Sequence, residues 1–79
     1  MARIIDGKKM NMVGKKVRQL RMAKGMSQQA LSARLETLAV YICRGSISRI
    51  EDMQRTVTDI ELYGLAQVLD VSIDELFDK

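Results

Sequence analysis

The stretch MSQQALSARLETLAVYICRGSISRIED, residues 26–52, decides the fold. Ser27 is placed to cap a helix, because its hydroxyl can accept an orphan backbone N–H of the first turn. Leu31 and Leu35 then repeat at i and i+4, which puts them on one buried face. Further on, Ile47 and Ile50 supply the inward stripe of a second helix. At 3.6 residues per turn, Gly45, Ser48, Arg49 and Asp52 fall on roughly the opposite side of that helix. A short helix anchored by two isoleucines and showing Arg and Ser outward has the shape and chemistry to lie in a DNA major groove.

Between the two helices the chain reads ETLAVYICR and is unusually apolar. Leu31, Leu35, Leu38 and Ile42 keep helical phase, which predicts one more turn of the first helix. An irregular loop that tucks Tyr41 or Ile42 onto the core fits the same residues equally well.

Working outward, Val13, Val17 and Leu20 run at i, i+4 and i+7, with Asn11 as a cap before them and Lys15, Lys16 and Arg18 off that face. Gly25 ends this helix as a left-handed cap, with Lys24 beside the negative end of the dipole. On the other side, Thr58 with Glu61 and Ser72 with Glu75 form two capping boxes, and Val57–Leu62 and Val71–Leu76 two hydrophobic staples. Leu62, Leu65, Ala66 and Leu69 make the buried stripe of the fourth helix; a short fifth ends near Phe77. Gly64 inside the fourth helix costs about 1 kcal/mol relative to Ala, which predicts a close approach by another backbone. Residues 1–10, with Ile4, Ile5, Lys8 and Lys9 around Gly7, read either as a disordered basic arm or as a short extended segment. The helix-turn-helix domain is expected over 11–79.

Seventy-nine residues with no proline, five glycines and many helix formers point to one small all-α domain. A chain of this size buries only about 60–65% of its unfolded surface. No apolar run approaches the roughly 20 residues that cross a bilayer, and the N-terminus lacks the apolar segment of a secretory signal, so a cytoplasmic protein is expected. One cysteine, Cys43, and no histidine exclude an internal disulfide and leave no zinc set and no His-based nucleophile machinery. The expectation is no enzyme, no metal and no cofactor. Residues 1–55 hold twelve Lys/Arg against four Asp/Glu, and residues 56–79 one against six. A basic front and an acidic back suit a protein that docks one face on a polyanion.

Three blocks, VGKKVRQLRMAKGMSQQALSARL (13–35), GSISRIED (45–52) and TDIELYGLAQVLDVSIDELF (58–77), resemble the Xre-like helix-turn-helix family of phage repressors and the lambda Cro class. They occur in the family's order. The resemblance implies a five-helix, lambda-repressor-like domain and a sequence-specific regulator of transcription, a repressor in kind, that binds double-stranded DNA. It also implies a homodimer on a two-fold operator with half-sites about one helical turn apart. About five extra residues separate Leu35 from Ile47, so the family's tight turn is not expected here.

A DNA reader needs a reading set and a positioning set. Arg44, Gly45, Ser46, Ser48 and Arg49, at the start or on the outer face of the third helix, are the reading candidates. The family's base-contacting positions map onto Arg44, Gly45 and Arg49. Gln28, Cys43, Ser46 and Arg55 are the positioning candidates, with Lys24 in a looser electrostatic halo; Gln28 takes the family's phosphate-contacting place. Arg21 and Glu51 are implied to form a partly buried ion pair joining the first helix to the third. For the dimer contact, the fifth helix with Phe77 ranks first, the apolar insert second and the Ile4–Ile5 arm third. Two alternatives stay open: a protein-interaction module with a vestigial DNA face, and the DNA-binding antidote of a toxin pair, with the insert as partner surface.

Overall fold

A computed structural model of the chain describes residues 8–77. They form five helices, α1 (Gly14–Ala23), α2 (Gln28–Glu36), α3 (Arg44–Glu51), α4 (Asp59–Leu69) and α5 (Ile73–Leu76), with no strand among the described residues. The expectations for Ile4 and Ile5 lie outside that range.

The helices share one core. Leu31 and Leu35 of α2, Ile47 and Ile50 of α3, Leu65 and Leu69 of α4, and Leu76 of α5 are all buried around Val17 of α1. Each such side chain stabilises the fold by about 1.5–3 kcal/mol through the apolar surface it removes from water. The starts follow the side-chain signals. Ser27 Oγ accepts from Ala30 N–H at 3.0 Å, and both capping boxes, Thr58 with Glu61 and Ser72 with Glu75, are complete.

At the entrance of α1, Asn11 Oδ1 accepts from Val13 N–H at 3.1 Å and Gly14 N–H at 2.8 Å. Its amide nitrogen then donates to the carbonyls of Ile50 at 3.1 Å and Arg55 at 2.9 Å. A capping residue thereby also braces α1 against the far end of α3. The packing there is tight: a Cβ on Gly14 would stand 2.0 Å from the Ile50 carbonyl oxygen. The close backbone approach expected at Gly64 is therefore found at Gly14 instead. At Gly64 the neighbours are side chains, Val40 Cγ2 at 2.9 Å and Leu35 Cδ2 at 3.3 Å from an added Cβ.

Four helices end in the same way, with a left-handed residue at Gly25, Ala39, Met53 and Asp70. Each is bridged by two reversed hydrogen bonds, such as Ala39 N–H to Glu36 O at 2.9 Å and Val40 N–H to Leu35 O at 3.0 Å. The stop at Ala39 decides between the two readings of the connection. α2 does not run on; it closes after Glu36, and the chain continues as an extended loop into α3. In that loop Val40 and Ile42 are buried, while Tyr41 between them is 76% exposed and Leu38 48% exposed. Ile42 is the residue tucked onto the core, and Ser32 Oγ holds it by donating to its carbonyl at 2.7 Å.

Candidate nucleic-acid interface

α3 has two unlike faces. Ile47, Ile50 and Glu51 are buried, whereas Arg44, Gly45, Arg49 and Asp52 are exposed and Ser46 and Ser48 are half-buried along the edges. Its orientation depends on the Glu51 carboxylate, which joins three helices. Arg21 of α1 grips it with two bonds, Nε to Oε2 at 2.7 Å and Nη2 to Oε1 at 3.1 Å. Gln28, in the first turn of α2, donates its side-chain amide to Oε1 at 3.1 Å. Arg21 also donates through Nη1 to the Met26 carbonyl at 2.7 Å, tying the α1–α2 turn to the same cluster. The side chains of Arg21 and Glu51 are 11% and 2% exposed. The hydrogen bonds to Glu51 hold the Arg21 guanidinium above the ordinary arginine pKa, outweighing the opposing effect of burial. Such a pair contributes little net stability, but it fixes geometry and is costly to break on one side.

The arginines on and just after α3 separate into two kinds. Arg55 is held internally by Glu61, through Nη1 to Oε1 at 3.0 Å and Nη2 to Oε2 at 2.9 Å, and by the Thr56 carbonyl at 2.8 Å. Those bonds raise the pKa of Arg55 and lower that of Glu61, the side-chain hydrogen bonds being the largest cause for both. The side chains of Arg44 and Arg49 make no hydrogen bond or ion pair among the described residues, and both residues are exposed on α3. They are the arginines of this region left free to meet a ligand. Gly45 between them meets nothing within 4 Å where a Cβ would stand, so its backbone is open to approach.

Cys43 is the N-cap of α3 and is exposed. Its sulfur lies 3.4 Å from Ser46 Oγ. Hydrogen bonding from the Ser46 side chain and backbone draws the thiol below its ordinary pKa, the expected effect of a helix N-terminus. Cys43 and Ser46 line a shallow concavity of about 380 Å³ with Ser32, Glu36, Tyr41 and Ile42.

Arg44, Gly45, Ser46, Ser48 and Arg49 thus lie on one helix with Cys43 at its start, while Gln28 and Arg55 are turned onto Glu51 and Glu61. Sequence reasoning did not find Asn11 as a brace, Gly14 as the contact point or Tyr41 beside Cys43 and Ser46 at the start of α3. A glycine three residues after the cap Asn11 and the alternation of Val40, Tyr41 and Ile42 were the signals available.

Two successive helices, α2 and α3, packed on one core through Leu31, Leu35, Ile47 and Ile50, with Arg44 and Arg49 outward on α3, have the arrangement of a helix-turn-helix pair. The family model described as helix-turn-helix matches residues 17–76, and the chain belongs to this Xre-like family of DNA-binding transcriptional regulators. Among solved structures it is similar to the restriction-modification controller protein C.AhdI from Aeromonas hydrophila. The two are 33% identical, the match covers 84% of this chain and 92% of that one, and the TM-score is 0.73. No curated protein matches the chain.

Proposed function

We propose that this regulator reads a specific double-stranded sequence through α3 and represses transcription as a homodimer in the cytoplasm, without cofactor or catalysis. The observation that carries the reading is the division of arginines: Arg21 and Arg55 are held in internal pairs, while Arg44 and Arg49 stand free on the exposed face of α3. Arg49 takes the base-reading role, since an arginine can hold guanine O6 and N7 with two parallel bonds. Arg44 reads or steers from the helix start, and Gly45 lets the backbone approach the base edges. Ser46, Ser48 and Cys43 make the shorter contacts around them. Gln28 and Arg55 position the reader by fixing its frame, and Gln28 offers its backbone N–H in the open first turn of α2 to a phosphate. The similarity to C.AhdI, described as a restriction-modification controller, favours a second reading in which the regulated genes are such a pair.

Selection of bound sites from random duplexes tests the proposal. The expected product is a two-fold-symmetric sequence with half-sites about 10–10.5 base pairs apart, centre to centre. Recovery of duplexes with no common sequence would contradict it.

A further inference from the structure

We infer that α4 carries the surface on which two copies of this chain pair, antiparallel and crossing at Tyr63. The inference rests on the homodimer reading above and gives it a location. Ile60, Tyr63 and Gln67 lie at i, i+3 and i+7, a single stripe pointing away from the buried Leu65 and Leu69. Ile60 is 68% exposed and Tyr63 59%, with Leu38 of the α2–α3 connection beside them. With Val40 and Gly64 these residues line a groove of about 570 Å³. Gly64 is part of its shape, because a side chain there would have to displace Val40.

The groove is self-complementary. Its middle is apolar; its one charged lining residue, Asp59, stands at one end and its one amide, Gln67, at the other. A two-fold crossing centred on Tyr63 sets Asp59, one turn before it, against the partner's Gln67, one turn after it. The amide then donates to the carboxylate, and symmetry makes the contact twice. The antiparallel arrangement also opposes the two helix dipoles. The exposed parts of Leu38, Ile60 and Tyr63 come to on the order of 300 Å² per copy, the size of the largest apolar patch on a typical small protein, which is often a functional one. With their rim they reach only the low end of specific interfaces, about 1,200 Å² in total, so the free dimer is weak and concentration-dependent. α5 offers less than the sequence suggests, since Leu76 is fully buried and Phe77 packs against the core.

Sedimentation equilibrium of the intact protein, alongside thermal melts, tests the pairing. Gln67→Glu sets one carboxylate against Asp59 in each of the two contacts and should raise the dimer Kd at least tenfold with an unchanged melt. Asp59→Lys combined with Gln67→Glu should return it to within a few-fold of wild type, and Ile60→Ser should abolish the dimer. A monomeric wild type at all concentrations, an indifferent Gln67→Glu, or a double variant that fails to recover overturns the inference. Binding to a duplex with a single half-site separates the two readings. Gln67→Glu should bind it as wild type does; a wild type that dimerises as described but binds no duplex would overturn only the DNA reading.

Discussion

Adding one methyl group at Gly14 should unseat α3 from behind. A Cβ there would stand 2.0 Å from the Ile50 carbonyl oxygen and 3.0 Å from its carbon. Carbon–oxygen contacts rest near 3.3 Å, so α1 and the end of α3 must part by about 1 Å. Overpacking of this kind costs about 1–3 kcal/mol. Parting also stretches the bonds from Asn11 to the Ile50 and Arg55 carbonyls, each contributing about 1 kcal/mol net. The better helix propensity of alanine returns up to about 1 kcal/mol. The balance is a loss of about 2–4 kcal/mol, against a total of about 4–12 kcal/mol for a domain of this length. Far-UV circular dichroism should show the melting midpoint of Gly14→Ala lowered by about 10–20 °C. Gly45→Ala is the control: no atom lies within 4 Å of its added Cβ, so the midpoint should hold or rise. Equal midpoints for the two variants would refute the close approach of α1 to α3.

Three further predictions address the frame. Arg21→Met or Glu51→Gln should cost about 3–5 kcal/mol in urea unfolding, because each leaves a buried group unpaired, while Arg44→Ala should hardly move the midpoint. Ala39→Gly should stabilise the fold by about 0.5–1 kcal/mol, as glycine relieves a left-handed residue at φ 61°; a lowered midpoint would show that the helix stop is not held there. Glu61 is depressed below its ordinary value of 4.5 by Arg55. Its contribution is therefore fully present above that pH and lost as pH falls through the folded-state value. Glu61→Gln should flatten the acid side of a stability–pH curve, and an unaltered curve would show that the pair does not persist in solution.

The helix starts were legible because they are written in side chains: Ser27, Thr58 with Glu61, and Ser72 with Glu75 each bond to their own helix. The core stripes were legible for the same local reason. The stops were not. Gly25 announces a left-handed cap, but Ala39, Met53 and Asp70 adopt that conformation without a glycine, driven by the carbonyls behind them and the packing ahead. That is why the connection between α2 and α3 stayed open between helix and loop. Internal engagement was equally hidden for Gln28 and Arg55. A polar residue at a helix start or in a loop looks exposed until its tertiary partner, Glu51 or Glu61, is known. Gly64 was misread because glycine in a helix shows that something is near without saying whether it is backbone or side chain. Gly14, the residue that does meet backbone, touches a carbonyl thirty-six residues away in the chain.

The central claim, that Arg49 on the outer face of α3 reads a base, is tested most directly by titrating Arg49→Ala and Lys24→Ala against the selected site and its single-base variants over a range of salt. Arg49→Ala should lose about 1–3 kcal/mol at the preferred site and cease to discriminate at one base position. Lys24→Ala should weaken all sequences alike and reduce the salt slope. An Arg49→Ala protein that kept the full base preference of wild type would contradict the account.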